Sequence, residues 1–295
     1  MSEPPIILAV IGGSGFYDMP GLERVEEVMV DTPYGASSDA IRIGRLEGQR
    51  VAFLARHGKG HTILPSEVPQ QANFWALKSL GVRKVLSVSA VGSLREDFRP
   101  SDLVVPDQLI DRTRGIRAST FFGGGVVAHI AFADPFCPRL RELAAGAAQA
   151  AGASVHLGGS YVVIEGPAFG TRAESHLYRS WGASVVGMTA LPEAKLAREA
   201  EICYATLAAV TDYDCWHESE GEVTAETVFA VLRRNVEVSQ QAVEWLIRAL
   251  AATPDPECAC ESALDAALVT APSAIPPVIR HRLAPILARR SRGAW

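Results

Sequence analysis

Runs of apolar residues alternate with segments of helical periodicity along most of this chain. Residues 6–11 are all apolar and predict a buried strand that leads directly into a glycine-rich loop. Residues 65–80 place Phe74, Leu77 and Leu80 at helical spacing, and Ser66 is the expected N-cap of that helix. Strands that alternate with helices in this way are typical of an α/β domain.

The same pattern continues to about residue 252 and then changes. Strands are predicted over 25–30, 41–46, 51–54, 85–89, 161–164, 184–186 and 202–210, and helices over 140–151, 172–181, 192–200 and 224–251. A short, interrupted segment flanks Pro106. We therefore divide the chain into an α/β domain over 1–252 and a Pro-rich linker with a C-terminal tail over 253–295. The tail is expected to pack on the domain or on a neighbouring subunit.

Composition and charge exclude several classes of protein. Hydrophobic residues make up 48% of the chain and the net charge is −5, so the chain is globular and has no basic footprint for nucleic acid. No apolar stretch approaches the roughly 20 residues that span a bilayer. No basic segment precedes the first strand as in a signal peptide, so we expect a cytoplasmic protein. A C-terminal basic cluster is interpreted as a solvated tail or a subunit contact; it comprises Arg280, Arg282, Arg289, Arg290 and Arg292.

The cysteines are odd in number and scattered. They are Cys137, Cys203, Cys215, Cys258 and Cys260. This pattern suits a reducing compartment without a disulfide framework. Cys258 and Cys260 are expected to be exposed thiols, with a local or intersubunit disulfide as the alternative. Zinc is not expected, because no second Cys or His pair lies at ligand spacing in the sequence.

Two segments suggest an anion site. The loop Gly12-Gly13-Ser14-Gly15 follows the first strand, and its backbone N–H groups can point at an anion. Arg56 and His57 follow the strand over 51–54, where the Arg fork suits bidentate binding of phosphate and His57 adds a donor. The loop fits neither the dinucleotide fingerprint nor a nucleotide triphosphate P-loop.

A pair of carboxylates ends the strand over 202–210. Asp212 and Asp214 are two residues apart, so an extended backbone places both on one face. Two close carboxylates do not both ionise easily, so one can hold a proton for general acid work on a leaving group. Small residues over 89–93 and the segment Gly187-Met188-Thr189 also follow strands, where ligands of α/β sheets bind.

These segments together resemble one enzyme family. They are Gly12–Gly15, Asp31–Gly35, Leu54–Gly58, Gln71–Leu77, Glu165–Phe169, Arg172–Ser175, Gly187–Thr189 and Thr211–Trp216, in this order. Over about residues 6–250 the chain resembles the 5′-methylthioadenosine phosphorylases of the trimeric purine nucleoside phosphorylase family. The resemblance implies a single α/β domain with a central mixed sheet, phosphorolysis of methylthioadenosine, and a homotrimer or a dimer of trimers. It implies no metal and no organic cofactor, only inorganic phosphate as co-substrate.

The resemblance also implies roles for individual residues. The residues implied to bind phosphate are Ser14, Arg56, His57, Ala90 and Thr189. The residues implied to border the nucleoside are Val91, Gly92, Phe169, Met188, Asp212 and Asp214, together with His129 of a neighbouring subunit, Val228 and Phe229. The catalytic groups are expected to be Asp212, Asp214 and His57, with a protonated Asp212 donating to the purine N7 and Asp214 in support. Gly187 stands where the family often has Asn, so a side-chain contact there is not expected.

Three other functions are weighed against this one. A 6-oxopurine nucleoside or methylthioinosine phosphorylase is expected to have an amide in place of Asp212. A nucleoside hydrolase has no use for an anion site at Arg56 and His57. A nucleoside-binding regulator keeps the pocket but has no turnover.

Overall fold

The structure is a computed structural model that describes residues 3–13, 15–16, 18–217, 225–253 and 258–291, without the side chains of 225–230, 232–234 and 291. The strands are β1 Leu8–Gly12, β2 Glu23–Val28, β3 Ile41–Leu46, β4 Gln49–Ala55, β5 Lys84–Ser93, β6 Leu103–Val105, β7 Gln108–Arg112, β8 Val155–Leu157, β9 Ser160–Ile164, β10 Val185–Gly187 and β11 Cys203–Asp212. The helices are α1 Gln70–Ser79, α2 Pro138–Ala150, α3 Arg172–Ser180, α4 Ala190–Glu199, α5 Ala225–Ala252, α6 Pro277–Arg282 and α7 Ala288–Ser291.

All the strands belong to one mixed sheet. Its main path runs β2-β3-β4-β1-β5-β10-β9-β7. A branch leaves β5 in the order β11-β6-β8. β1 is parallel to β4 and β5, and β11 is parallel to β5, so these four strands end at the same edge. This confirms the predicted α/β class with a central mixed sheet. The edge collects the loops that follow Gly12, Ala55 and Asp212.

Helices cover the sheet because its central strands bury apolar side chains on both faces. β11 illustrates this, since nine of its ten residues are buried. One core cluster joins the sheet to α1, α4 and the C-terminal segment, and the other joins it to α2 and α5. Residues of the C-terminal segment are part of the first cluster, and Leu264 and Leu283 are fully buried there. Residues 258–291 therefore pack on the domain.

Several predicted boundaries were wrong for identifiable reasons. Helix α1 begins at Gln70 and not near Ser66, because Pro69 disfavours helical backbone at the residue before it. The first antiparallel strand covers Glu23–Val28 and not 25–30, because pairing of Val28 with Ile41 sets its register. Strand β8 was missed since a run of three residues carries no usable periodicity.

The interpretation of the basic cluster as a solvated tail needs correction. Arg289 forms ion pairs with Glu201 and Asp265, and Glu201 is only 3% exposed. Arg290 donates to the backbone carbonyl of Leu264. Arg292 lies outside the described residues. These guanidinium groups hold the C-terminal segment against the domain. Glu201 is a buried carboxylate, and Arg289 is the cationic partner that such a group needs.

The interpretation of Cys258 and Cys260 as an exposed pair was also wrong. Cys260 is 4% exposed, and Cys258 is partly buried against Cys137. The sulfurs of Cys137, Cys203, Cys258 and Cys260 all lie within 4.8 Å of one another. Sequence spacing did not reveal this cluster, because three distant segments contribute to it.

Among the described helices, none has the length and apolar character needed to cross a membrane.

Candidate active site

A cavity of about 450 Å³ opens at the carboxyl ends of the parallel strands. This volume lies in the range of small-molecule sites. Ten of the residues predicted for the site line it: Arg56, His57, Ala90, Val91, Gly92, Phe169, Met188, Thr189, Asp212 and Asp214. The sheet brings them together from five separate segments. Gly13 and Phe16 line the cavity from the loop after β1.

Arg56 lies at the inner wall and is only 1% exposed. Its Nε donates to Glu193 Oε1 at 2.5 Å, and Nη1 donates to the Val88 carbonyl at 3.0 Å. Its Nη2 donates to the Ile11 carbonyl at 3.1 Å and to Ser87 Oγ at 2.7 Å. Of the five guanidinium N–H groups, one on Nη1 is left by these contacts within the described chain. The predicted bidentate fork is therefore wrong in geometry, and Arg56 offers the cavity one donor and a fixed charge.

Glu193 is the partner that sequence reasoning missed. It is fully buried, and its second oxygen accepts from the Tyr204 hydroxyl at 2.8 Å. A buried guanidinium needs such a carboxylate because an isolated charge is costly in the interior. No sequence motif marks the pair, since Arg56 and Glu193 are 137 residues apart.

His57 is held in one orientation next to Arg56. Its Nδ1 lies 2.9 Å from the Ile63 carbonyl oxygen, which can only accept, so Nδ1 carries the proton. Burial and the neighbouring Arg56 lower the pKa of His57 to about 4. At neutral pH the ring is uncharged and Nε2 is an acceptor. The expectation that His57 acts simply as a second donor therefore needs revision, because it requires a proton on Nε2.

Thr189 lies on the opposite wall, after β10. Its Oγ1 is 3.1 Å from the hydroxyl of Tyr161, which is fully buried under the cavity. A Cβ atom on Gly187 would lie 2.4 Å from that same hydroxyl. The tyrosine hydroxyl therefore occupies the space of a side chain at position 187, which accounts for glycine at that position.

Arg117 supports this wall and was not singled out by sequence reasoning. Its Nη1 donates to the carbonyls of Met188 and Leu191, each at 2.7 Å. Its Nε donates to Glu165 Oε1 at 2.5 Å, and both side chains are nearly buried. The segment that carries Met188 and Thr189 is thus fixed by a charged group beneath it.

The two aspartates lie at the end of β11, where the pairing with β5 contains a bulge between Val210 and Asp212. Asp212 Oδ1 accepts from the Asp214 backbone N–H at 2.8 Å, and Oδ2 accepts from the Thr211 hydroxyl at 2.7 Å. Burial raises the pKa of Asp214. The raised pKa makes Asp214 a second candidate for the general acid, beside Asp212, which the sequence favoured.

Gly92 allows the two aspartates to approach the backbone of β5 closely. A Cβ atom there would lie 3.0 Å from Asp212 Oδ1 and 3.2 Å from the Asp214 Cβ. Phe169 is 47% exposed at the rim of the cavity and offers a flat apolar face. Gly92, Phe169 and the two aspartates therefore border the same part of the cavity wall.

Four of the predicted site residues are not placed in this cavity. Ser14 lies outside the described residues. Val228 and Phe229 belong to α5, but their side chains lie outside the described ones. His129 is exposed and does not line the cavity of its own chain, and its backbone N–H donates to the Ala267 carbonyl at 2.8 Å.

The fold and the cavity define a class of protein. The model of the phosphorylase superfamily matches residues 7–248, and the chain belongs to this family. Within the family, the S-methyl-5'-thioadenosine phosphorylase of Chloroflexus aurantiacus is 58% identical over 282 residues, which cover 96% of this chain and 97% of the relative. That of Gloeobacter violaceus is 55% identical over 293 residues, covering 98% and 97%.

Solved structures agree with these sequence matches. A methylthioadenosine phosphorylase sourced from an antarctic soil metagenomic library has a TM-score of 0.91 and 49% identity, covering 97% of this chain and 100% of that chain. The methylthioadenosine phosphorylase of Schistosoma mansoni in complex with adenine has a TM-score of 0.81 and 38% identity, covering 84% and 93%. The family predicted from the motifs is thereby confirmed.

Proposed function

We propose that this chain catalyses the phosphorolysis of 5′-methylthioadenosine to adenine and 5-methylthioribose 1-phosphate. The observation that carries the proposal is a single cavity lined both by a buried guanidinium, Arg56, and by two carboxyls, Asp212 and Asp214. Relatives of the same length and high identity are S-methyl-5'-thioadenosine phosphorylases, which supports the same reaction here. The chemistry needs inorganic phosphate as second substrate and no metal or organic cofactor.

Phosphate binds between Arg56, His57, Thr189 and the backbone of Ala90, with Ser14 from the loop after β1. The remaining Nη1 donor of Arg56 and the hydroxyl of Thr189 give it direct contacts. The neutral His57 accepts through Nε2 at neutral pH, so it pairs with the proton of monohydrogen phosphate.

The purine lies at the other end, between Phe169 and the backbone of Val91 and Gly92, and Met188 lies under the ribose. Asp212 accepts a hydrogen bond from the 6-amino group. Asp214, whose pKa is raised by burial, donates its proton toward N7. A carboxylate at Asp212 favours a 6-amino purine over a 6-oxo purine, because a carboxylate oxygen and a 6-oxo group are both acceptors.

Breaking the ribosyl bond builds positive charge on the sugar and negative charge on the departing base. Phosphate held at Arg56 stabilises the sugar cation and then captures C1. The proton from the carboxyl pair neutralises the base. Such electrostatic preorganisation is usually the largest catalytic contribution.

The active unit is a homotrimer or a dimer of trimers in the cytoplasm, with His129 and Val228 contributing to a 5′-methylthio pocket. Val127 and Val269 support a subunit contact near His129, because they are 47% and 65% exposed. They are also joined by a backbone hydrogen bond of 2.9 Å, so they form one apolar patch. Mass measurement in solution tests the trimer, and His129→Ala tests its contribution to the neighbouring pocket.

Substrate selection tests the proposed function. We expect kcat/KM for methylthioadenosine to exceed that for methylthioinosine by at least about tenfold, because mismatched buried polar groups each cost roughly 1–3 kcal/mol. Adenosine and inosine complete the comparison. A preference for 6-oxo nucleosides would establish the alternative function, a 6-oxopurine nucleoside phosphorylase.

A further inference from the structure

Four cysteines converge away from the active site. Cys137 is the N-cap residue of α2, Cys203 is the first residue of β11, and Cys258 and Cys260 lie in the C-terminal segment. All four sulfurs lie within 4.8 Å of one another, and Cys137 Sγ is 3.7 Å from Cys258 Sγ. Cys137, Cys203 and Cys260 are buried, and Cys258 is partly buried.

The spacing of the sulfurs matches a single tetrahedral ion. With a zinc–sulfur bond of about 2.3 Å, the sulfurs of a tetrahedral site are about 3.8 Å apart. A disulfide requires a sulfur separation of about 2.0 Å, much shorter than the 3.7 Å between Cys137 and Cys258. Movements of about 1 Å or less bring all four sulfurs to the metal distance. The cluster is therefore close to the geometry of a tetrathiolate site.

The surroundings suit the charge of such a site. Four thiolates and one divalent cation carry a net charge of −2, which needs compensation in a buried position. Lys84 and Arg139 line a small cavity of about 10 Å³ together with Cys137, Cys203 and Cys258. Cys137 also lies at the N-terminus of a helix of 13 residues, where the helix dipole favours a thiolate.

We propose that Cys137, Cys203, Cys258 and Cys260 bind one Zn²⁺ per chain in a structural tetrathiolate site. Binding converts four thiols to thiolates and releases their protons to solvent. All four ligand positions are taken by protein sulfur, so no position stays open for catalysis. The ion joins the C-terminal segment to α2 and to the start of β11.

The site acts on stability and not on chemistry. Cys203 and Asp212 are the first and last residues of β11, and a strand of this length separates them by roughly 30 Å. The C-terminal segment, in contrast, makes backbone hydrogen bonds to the chain around His129 through Ala267 and Val269. Loss of the ion should loosen this segment and lower the Tm.

The experiment measures metal in the full-length protein purified with a thiol reductant. We expect one zinc per chain by elemental analysis, and the visible bands and sulfur-to-metal charge transfer of tetrahedral thiolate cobalt when Co²⁺ replaces zinc. The double variant Cys258→Ser with Cys260→Ser should lose the zinc and weaken Co²⁺ binding by at least about 100-fold, because losing a metal ligand costs more than losing a group that hydrogen-bonds to a ligand. Cys215→Ser, whose sulfur is outside the cluster, should keep one zinc per chain.

The wild-type protein alone can overturn the proposal, so the result does not depend on folding of the variant. Reduced protein that is offered zinc and cobalt, yet holds neither and shows no thiolate bands, would refute it. Intact-mass measurement that finds disulfides between these cysteines in the reduced preparation would also refute it. A chelator should lower the Tm of wild type and leave that of the double variant unchanged; an equal shift in both would contradict the structural role.

Discussion

Asp212→Asn is the perturbation that tests how the site distinguishes the purine. The wild-type carboxylate accepts from the Asp214 N–H at 2.8 Å and from the Thr211 hydroxyl at 2.7 Å. An asparagine oxygen can keep the contact with the Asp214 N–H. The Thr211 hydroxyl can turn toward the Val91 carbonyl, 3.2 Å away, and accept from the new amide. The local structure therefore survives the change, and the face offered to position 6 of the base changes from acceptor to donor.

The magnitude follows from pairing at position 6. A 6-amino group that meets an amide donor is left unpaired in a partly desolvated cavity, which costs roughly 1–3 kcal/mol. That cost lowers kcat/KM for methylthioadenosine about 5- to 150-fold at about 1.4 kcal/mol per factor of ten. A 6-oxo group gains a donor at the same position. The ratio of the two specificity constants should therefore fall by at least about tenfold in the variant.

The assay measures kcat/KM for methylthioadenosine and methylthioinosine on the same preparation, so that differences in folded fraction cancel in the ratio. Asp214→Asn is the matched control. It should lower both rates because it removes the proton held near N7, and it should move the ratio less. A wild-type ratio in Asp212→Asn would refute the assignment of Asp212 to the base.

Three further changes test the supporting structure. Glu193→Gln leaves the buried Arg56 charge without its partner, so we expect the free energy of unfolding to fall by about 3–5 kcal/mol. The Tm, measured by calorimetry, should then be lower by roughly 10 °C. A Tm shift below about 2 °C would contradict this expectation. Gly187→Asn should lower kcat/KM at least about tenfold, because the new side chain displaces the Tyr161 hydroxyl. Adding Tyr161→Phe should restore part of the lost kcat/KM. No recovery would contradict a clash between position 187 and Tyr161. Burial raises the pKa of Glu199 from 4.5 to about 7. Between pH 4.5 and about 7 the folded chain therefore binds more protons than the unfolded chain. The free energy of unfolding, measured relative to that of Glu199→Gln, should fall by about 3 kcal/mol as pH rises through this range. Parallel stability curves for the two proteins would contradict this prediction.

The sequence predicted most of the sheet because its strands are long apolar runs that end in small or polar residues. Ile41–Leu46 was predicted with its observed bounds, and the loops after Ala55 and Val210 were placed at the correct edge. These loops carry the motifs that resemble the family, so the cavity-lining residues could be named before any fold was known.

What the sequence did not reveal depends on contacts between distant segments. Arg117 donates to the carbonyl of Met188, which is 71 positions away in the sequence, and Arg56 pairs with Glu193, which is 137 positions away. Such buried ion pairs have no local periodicity or spacing. For the same reason the four-cysteine cluster was overlooked, since only Cys258 and Cys260 are neighbours in the chain. The hydrogen bonds to Asp212 and the burial of Asp214 could not be predicted either, because both are set by the fold.

The measurement that tests the central claim most directly is product analysis of methylthioadenosine cleavage with and without phosphate. Adenine is followed by absorbance, and the sugar product by phosphorus NMR and mass spectrometry. We expect one 5-methylthioribose 1-phosphate for each adenine when phosphate is present, and no sustained turnover when it is absent. Adenine release that continues without phosphate and yields free methylthioribose would show a hydrolase and contradict the account.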